Sequence, residues 1–354
     1  MRIFQTFVLP DELVTRHRLS FAAANFSRNL ISGGSFDKVY SLIPVNIRGE
    51  LGTVTESGYE VIYSRWRKKK GILAKVAIFA EQWKVFRQIH NGDSVWFYNM
   101  NMINGYLFLL LKLLKHSVKL NVIVLDFTPP AKWYQQNSFF LKLINRADGI
   151  ISLSTSDLFT VKNTALLPGV VPADTMDYPI ITQPKKEFLL SGVISNAIAM
   201  TPAVLRVFAA MPHATLHITG KVMEGEELIL GYTRKYKNII YHGSLSFAAY
   251  LDLLHRVTFQ LSTRNPEFPE NQCNFPSKII EALLHNRIIV STVGYPQLDG
   301  INYIKIDADN LEDGLNCVCK MEKNQLLFYA NESSKVKKMF STDVWNNTMN
   351  KLEK

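Results

Sequence analysis

The sequence has few cysteines and no long apolar run, and each scarcity excludes a class of protein. Only three of the 354 residues are cysteine, too few for a disulfide framework and without the paired spacing of a zinc site. Cys317 and Cys319 lie two residues apart on a predicted amphipathic helix, so we interpret both as buried small hydrophobic residues. The most apolar segment, Tyr106–Leu114, contains Lys112 and is well short of the ~20 residues that a membrane-spanning helix needs. The sequence therefore indicates a folded protein of a reducing compartment, the cytoplasm.

The charge is distributed unevenly along the chain. Of 40 basic and 30 acidic residues, residues 1–170 hold 21 and 11, so the remainder is balanced at 19 of each. Hydrophobic residues make up 47% of the sequence and charged residues 20%, which is typical of a folded chain. At this length a single hydrophobic core is unfavourable. We therefore expect two domains of roughly 150–180 residues with different partners.

Short β-branched runs alternate with longer helical patterns, which predicts the α/β class with parallel strands. Four prolines and little periodicity mark a linker over 166–187. We predict two Rossmann-like domains that face each other across a cleft, residues 1–168 and residues 169–332. A C-terminal helix over 333–354 is expected to pack back toward the N-terminal domain.

One predicted helix of the first domain has an apolar stripe. Val76, Phe79, Trp83 and Phe86 recur at steps of three and four residues, which is the spacing of one helical face. We expect this stripe to pack on the sheet as part of the core.

The stretch 274–281, Asn-Phe-Pro-Ser-Lys-Ile-Ile-Glu, places unusual chemistry at the start of a predicted helix. A helix start exposes unpaired N–H groups and the positive end of the helix dipole, which together attract anions. Ser277 and Lys278 add a hydroxyl and a cation, and Glu281 lies one turn later on the same side. A phosphate suits the first two and ribose hydroxyls suit the carboxylate, so the set fits a nucleoside diphosphate. A structural alternative stays open, and spacing alone favours it: Ser277 caps the helix, Glu281 completes a capping box and Lys278 pairs with Glu281.

This stretch resembles the donor-binding motif of the retaining glycosyltransferases of the GT-B fold, in particular the bacterial polysaccharide-biosynthesis branch of the family 4 type. The matching residues are Phe275, Pro276, Ser277, Lys278 and Glu281, followed by Ile288–Thr292. The resemblance implies that Glu281 holds the ribose hydroxyls of a nucleotide-diphosphate sugar, and that Ser277, Lys278 and Arg264 lie by its diphosphate. It also implies that Gly192 lets the phosphate approach the backbone closely.

The chain departs from the family pattern at two places. Cys273 stands where the first glutamate of a Glu-x7-Glu pattern is usual, and the segment after Gly192 lacks the basic residue that commonly helps to clamp the phosphates. These departures leave open a sugar-nucleotide-binding module without activity. A sugar-nucleotide epimerase of the same fold is a further alternative.

Polar side chains at predicted strand ends of the first domain are candidates for binding an acceptor. Asp126 and Thr128 follow one strand, Asn99 and Asn101 follow a neighbouring strand, and Asn25 lies near the start of the first helix. The carboxyl ends of parallel strands commonly present such residues to a ligand. Turn formation or helix capping explains Asp126 and Asn99 equally well.

We predict that the protein transfers a sugar from a nucleotide-diphosphate sugar to a glycan or lipid-linked acceptor, with retention, in cell-surface polysaccharide biosynthesis. The predicted catalytic residues are Asp126, Arg264 and Lys278. Positioning and neutralisation of the departing diphosphate would carry the reaction, so we expect no metal and no cofactor.

A basic cluster in the first domain suggests where the protein acts. The cluster comprises Arg65, Arg67, Lys68, Lys69 and Lys70 around Trp66. It predicts peripheral contact with an anionic membrane on the cytoplasmic side, although a solvated charged loop is the alternative. No nucleic-acid partner is expected, because the sequence contains no recognition motif.

Overall fold

The computed structural model describes residues 1–6, 8, 21–41, 53–56, 59–63 and 71–354. The chain divides into two compact units: unit 1 comprises Met1–Asp174 and Phe340–Lys354, and unit 2 comprises Thr175–Met339. Each unit contains a largely parallel sheet covered by helices. The predicted α/β class with two Rossmann-like domains is therefore confirmed.

Unit 1 is built on an eight-stranded sheet. Its strands are β1 (Arg2–Thr6), β2 (Lys38–Ser41), β3 (Thr53–Glu56), β4 (Tyr59–Tyr63), β5 (Ser94–Tyr98), β6 (Lys119–Val124), β7 (Gly149–Ser152) and β8 (Thr164–Leu166). Its helices in the first part of the chain are α1 (Phe21–Ser32), α2 (Gly71–Gln88), α3 (Met102–Leu114) and α4 (Gln136–Ile144). The strand order is β3-β4-β2-β1-β5-β6-β7-β8, and β3 pairs antiparallel with β4.

Helices α2, α3 and α4 form one layer on the unit 1 sheet, with α3 in contact with both neighbours. The chain steps across the sheet in the same direction from β4 to β5, β6 and β7, and right-handed crossovers place the three connecting helices on one face. Their inner sides pack on the strands through buried residues that include Phe86, Phe108 and Phe140. The carboxyl ends of β5 and β6 are thereby held at one edge.

The stripe predicted for α2 lies only partly in this core. Phe86 is 7% exposed, but Val76 is 59% exposed, Phe79 45% and Trp83 40%. The helix instead turns the fully buried Gln82 toward the sheet. The prediction that the stripe packs on the sheet is wrong for three of its four residues, because periodicity identifies a helical face without showing what covers it.

Unit 2 is a six-stranded parallel sheet in the order β11-β10-β9-β12-β13-β14. Its strands are β9 (Glu187–Ile194), β10 (Thr215–Val222), β11 (Ile239–Tyr241), β12 (Phe259–Ser262), β13 (Ile288–Ser291) and β14 (Ile304–Lys305). Its helices are α5 (Asn196–Ala199), α6 (Thr201–Ala210), α7 (Glu226–Lys235), α8 (Phe247–Arg256), α9 (Pro269–Cys273), α10 (Ser277–Leu284), α11 (Leu311–Lys320), α12 (Lys323–Phe328) and α13 (Ser333–Phe340). Phe188 anchors the core by stacking on Phe259 and meeting Phe208 edge-on.

The C-terminal segment, predicted as one helix, forms two helices. Helix α14 (Thr342–Leu352) follows α13 after Ser341, whose hydroxyl accepts a hydrogen bond from the Val344 N–H. At this return to unit 1 the chain pairs with itself: the Val171 N–H donates to the Phe340 carbonyl at 2.8 Å, and the Thr342 N–H donates to the Val171 carbonyl at 3.1 Å. Within unit 1, the segment at Val171 and the returning segment at Phe340–Thr342 are therefore paired.

Helix α14 is tied firmly to unit 1. Trp345 is fully buried, and its indole N–H donates to the Gly169 carbonyl at 2.7 Å. Glu353 pairs with the Arg2 guanidinium and accepts from the Ser94 hydroxyl and the Trp96 indole, each at 2.6 Å. Burial raises the pKa of Glu353, but these hydrogen bonds outweigh that effect and hold its pKa below the usual value.

Other sequence predictions need correction. Cys319 and Cys273 are buried, but Cys317 is exposed, so only one of the two neighbouring cysteines is the buried hydrophobe expected. Strands β3, β8 and β14 and helices α5, α7, α9 and α12 were not predicted. Within the described residues, no helix is long and apolar enough to cross a membrane.

Candidate functional site

Two glycines bring β9, β10 and α10 close together at the carboxyl end of the unit 2 sheet. Gly192 and Gly220 are paired neighbours, with φ values of +108° and +136° that disfavour any side chain. A Cβ at Gly220 would lie 2.0 Å from the Gly192 carbonyl oxygen, and a Cβ at Gly192 would touch Lys278 at 3.4 Å. Gly192, predicted from the sequence, thus faces Lys278. Gly220 was missed, although its position at the end of a strand pattern was a usable signal.

The start of α10 lacks a side-chain cap. Pro276 occupies the cap position, and it makes no side-chain hydrogen bond that caps the helix. Ser277 is the first helical residue and is exposed, so the capping box offered as the structural alternative does not form. The Ile279 N–H donates to the Pro276 carbonyl at 3.0 Å, and the start of the helix still carries the positive end of the helix dipole, which attracts an anion.

Lys278 and Glu281 lie on one side of this helix start, as predicted. The Lys278 ammonium is 4.0 Å from a Glu281 carboxylate oxygen, and the two side chains are 34% and 26% exposed. The same ammonium lies 3.8 Å from the centre of the Tyr250 ring. Burial lowers the pKa of Lys278, and the charge of Glu281 partly opposes this. Contacts with Tyr250 and Glu281 thus hold the Lys278 ammonium in place, and the Glu281 carboxylate neutralises its charge only in part.

Tyr250 is the member of this cluster that the sequence did not reveal. It lies on α8, is 5% exposed, and faces both Glu281 and Ser191. Its hydroxyl is nevertheless outside hydrogen-bonding geometry with any described residue. Burial raises the pKa of Tyr250 well above its usual value, and the neighbouring Glu281 charge adds to the effect. Tyr250 therefore remains a neutral donor, and its hydroxyl is free to turn toward a bound molecule or toward Glu281.

Arg264 belongs to the loop that precedes α10. Its Nε donates to the Asn271 side chain and its Nη1 donates to the Asn274 carbonyl, both at 2.7 Å. These bonds fix the segment that contains α9, whose last residue, Cys273, is 7% exposed. Arg264 therefore holds the backbone that leads into α10.

Phe275 and Pro276 complete the predicted donor motif as structural residues. Phe275 is 3% exposed and packs edge-on against Tyr295, with ring centres 5.2 Å apart. Pro276 sets the extended backbone before the helix. Both residues orient the helix start, and their side chains leave the polar contacts to Ser277, Lys278 and Glu281.

The predicted acceptor residues of unit 1 are divided between structural and exposed positions. Asn99 has φ +52°, and its side-chain oxygen accepts from the Leu125 N–H at 2.7 Å. The Asn101 side-chain oxygen caps α3 by accepting from the N–H groups of Ile103 and Asn104. The side-chain oxygens of both asparagines therefore bind backbone N–H groups at the ends of β5 and β6, and contact of Asn99 or Asn101 with an acceptor stays a prediction.

Asp126, Thr128 and Asn25 lie near the carboxyl edge of the unit 1 sheet. Asp126 and Thr128 are exposed in the segment that follows β6. Burial raises the pKa of Tyr98, at the end of β5, and the Asp126 charge contributes, so the two groups are close. Asn25 is half-buried on α1, next to Phe26, which meets the Tyr98 ring edge-on.

Solved structures share this architecture. An Escherichia coli trehalose-6-phosphate protein bound with UDP-2-fluoro glucose is 9% identical, with a TM-score of 0.70 over 100% of this chain and 99% of that one. HepE of Anabaena, in complex with UDP-glucose, is 13% identical, with a TM-score of 0.66 over 99% and 98% of the two chains. The chain has the GT-B fold. TarM of S. aureus, in complex with UDP, is 14% identical, with a TM-score of 0.54 over 79% of this chain and 59% of TarM.

The likeness is one of structure alone. No protein-family profile matches the sequence, and no curated protein matches it either. At identities of 6–14% the structural matches establish the fold. The chemistry of the GT-B chain described here must therefore be argued from its own site.

Proposed function

We propose that this GT-B protein transfers a glycosyl unit from a nucleotide-diphosphate sugar to a glycan or lipid-linked acceptor. The observation that carries the proposal is the uncapped start of α10, where Lys278 and Glu281 flank a glycine-lined approach. A cation beside a helix N-terminus without a side-chain cap from Pro276 fits a diphosphate, and a nearby carboxylate fits a pair of hydroxyls. Three structural neighbours hold UDP or a UDP-sugar, so UDP-sugars are the first donors to test.

The proposed role of each group in this reaction is supported by its charge. The α10 N–H groups and Lys278 would bind the diphosphate and stabilise the negative charge that develops as the sugar leaves. Glu281 would accept hydrogen bonds from the ribose hydroxyls, and Gly192 would admit the phosphates close to the strand. Arg264 would act through the loop that it holds. Asp126, in unit 1, is proposed to contact the acceptor.

Finer features of the reaction are part of the same proposal. Retention at the anomeric carbon, hexosyl transfer and a place in cell-surface polysaccharide synthesis rest on the resemblance of the donor motif. Positioning and charge neutralisation by this chain's own groups supply the chemistry, so we propose transfer without a metal or cofactor. A cytoplasmic protein at the inner membrane face suits a lipid-linked acceptor. The basic cluster first assigned to that contact, Arg65 and Arg67–Lys70, lies outside the described residues.

Calorimetric titration with UDP, GDP and ADP sugars, combined with detection of released nucleotide and altered sugar, tests the proposal. We expect one donor to bind and to release its diphosphate slowly without an acceptor. Lys278→Ala should weaken donor binding by at least tenfold and slow the release of nucleotide, and Lys320→Ala, at an exposed helical lysine of unit 2, is the matched control.

Other outcomes of this experiment would replace the proposal. Binding without any turnover, including trials with acceptor glycans, would favour a binding module, in agreement with the buried Cys273 at the usual glutamate position. Interconversion of the donor sugar without release would identify an epimerase. Failure of every nucleotide sugar to bind would refute the assignment of the α10 site.

A further inference from the structure

The Lys278 side chain is in contact with two uncharged groups from other elements of unit 2. A Cβ added at Gly192 would meet the lysine Cδ and Cε atoms at 3.4 Å, so the aliphatic stem passes close to the β9 backbone. The ammonium lies 3.8 Å from the centre of the Tyr250 ring, which belongs to α8. Strand β9 therefore limits where the stem can lie, and α8 provides a surface for the charge.

The Tyr250 ring is itself held in place. It is 5% exposed, and the Phe247 ring stacks beside it with ring centres 6.5 Å apart. The two residues are three apart on α8, so they lie on the same side of the helix. The start of α8 is capped by the Ser246 hydroxyl, which accepts from the Ala249 N–H. The ring is therefore a fixed surface, already in position before any ligand binds.

An aromatic ring attracts an ammonium without neutralising it. The face of the ring carries negative partial charge, and the attraction is strongest where water is excluded, as it is at Tyr250. A carboxylate in the same place would pair with Lys278 and compete with a phosphate for it. Glu281 does so only in part, because its oxygen is 4.0 Å from the ammonium, at the outer limit of an ion pair. The ring thus holds the cation and leaves its charge available to an anion.

Burial works against the charge of Lys278. It lowers the pKa of Lys278, and the Glu281 carboxylate opposes this effect. Among the described residues, the titratable groups found against the ammonium are Glu281 on α10 and Tyr250 on α8. Burial also raises the pKa of Tyr250 well above its usual value, so the tyrosine is still neutral where the lysine loses its proton. The neutral ring therefore adds a second contribution that favours the charged lysine.

We propose that Tyr250 is a positioning residue of this site, whose ring keeps Lys278 charged and directed at the phosphates of the donor. Tyr250 acts through Lys278 and does not itself need to touch the phosphates or the sugar. Its hydroxyl, which is buried near Glu281 and Ser191 and outside hydrogen-bonding geometry with either, is not required for this role. Phosphate as the partner rests on the proposed function, whereas the effect of the ring on Lys278 is independent of any ligand.

Fluorinated phenylalanines at position 250 test the ring while nearly preserving its shape. Phenylalanine and its analogues with one, two and three fluorines keep the packing, but each fluorine withdraws electrons from the ring face and weakens its attraction for a cation. Lysine labelled with carbon-13 at Cε reports the protonation of Lys278 by NMR, and the signal that is missing in Lys278→Ala identifies it. We expect nearly the same pKa of Lys278 in the wild type and Tyr250→Phe, and a lower pKa with each added fluorine. Equal pKa values along the series would overturn the proposal.

Calorimetric titration with UDP extends the test to the ligand. The affinity of each variant is divided by that of the wild type at the same pH, so the titration of UDP itself cancels. Tyr250→Phe should bind like the wild type, and Tyr250→Leu, which removes the ring, should bind UDP about 2- to 30-fold more weakly at neutral pH and weaker still at alkaline pH. The matched control is Tyr236→Leu, which removes the ring that lies 5.2 Å from the Lys235 ammonium in the same unit, and it should bind like the wild type.

Failure of this role and failure of the proposed function give different results. Equal UDP affinity of the wild type and Tyr250→Leu would overturn the positioning role and leave the proposed function standing. Absence of UDP binding by the wild type would refute the proposed function and the phosphate partner, and the pKa of Lys278 along the fluorine series would still decide whether the ring holds the cation. If Tyr250→Leu has no melting transition, the fluorine series replaces it, and unchanged UDP affinity along that series would overturn the proposal.

Discussion

Replacing Glu281 by alanine tests most directly whether the site at the start of α10 binds the ribose of a nucleotide. In the structure its carboxylate is 4.0 Å from the Lys278 ammonium, faces Tyr250, and is 26% exposed. A hydrogen bond to a charged group contributes about 1.5–3 kcal/mol, so loss of this acceptor should weaken uridine binding about 10- to 150-fold. Glu281 is not a core residue, so the melting temperature should change little.

The same substitution should weaken UDP binding less than it weakens uridine binding. The Glu281 charge near Lys278 partly satisfies the cation, and its removal frees Lys278 to interact more strongly with phosphate. The gain on the phosphate side offsets part of the loss on the ribose side. Glu281→Gln should lie between alanine and the wild type, because an amide oxygen can still accept a neutral hydrogen bond.

Isothermal titration calorimetry with uridine and UDP at matched pH distinguishes these effects. The control is Glu312→Ala, which removes an exposed glutamate from the first turn of α11 in the same unit. If Glu281→Ala and Glu312→Ala both bind uridine like the wild type, Glu281 is only the intrahelical partner of Lys278. The ribose assignment would then be refuted even if UDP still bound.

Three further changes address other contacts. Lys278→Ala should weaken UDP binding by at least tenfold and leave uridine binding unchanged, as measured by calorimetry. In the wild type, calorimetry should show the UDP affinity falling as the pH rises through the lowered pKa of Lys278. Glu353→Gln should lower the free energy of unfolding by about 2 kcal/mol, and with it the melting temperature, because the ion pair with Arg2 is lost. The folded state lowers the pKa of Glu353, so this stabilisation is present at neutral pH and is lost as the pH falls below about 4.5. Gly220→Ala should abolish UDP binding or folding, because its Cβ would overlap the Gly192 carbonyl; a normal melting curve with normal affinity would contradict the close approach described.

Local patterns predicted the parts of the site that one helix contains. Ser277, Lys278 and Glu281 are within one turn, so helical periodicity alone placed them on one side. Tyr250 comes from another helix, and only the packing of α8 against α10 puts its ring under Lys278. A contact between residues so distant in sequence leaves no periodic signal in either segment. The residue type was also uninformative, because a tyrosine on an amphipathic helix is usually a core residue.

The same distinction explains the errors in unit 1. The strand ends at Asn99 and Asn101 were located correctly, but polar residues at such positions serve either ligands or the backbone. Here the backbone uses their oxygens, through Leu125 and the first turn of α3. The spacing of Val76 and Trp83 correctly indicated a helix. Which side the sheet would cover depended on the neighbouring strands, and the polar Gln82 takes the inner position.

The division of unit 1 into two stretches has a consequence for synthesis on the ribosome. Trp345 and Met349 are fully buried in unit 1, yet the 165 residues from Thr175 to Met339 must be made before them. At a translation rate of about 5–20 residues per second, the site that Trp345 fills stays vacant for about 8–33 s. During that interval unit 2 can emerge and fold while unit 1 remains incomplete. Unit 1 is therefore the first unit to be synthesised and the last to complete its fold. A chaperone would matter most in the interval in which its core is still incomplete.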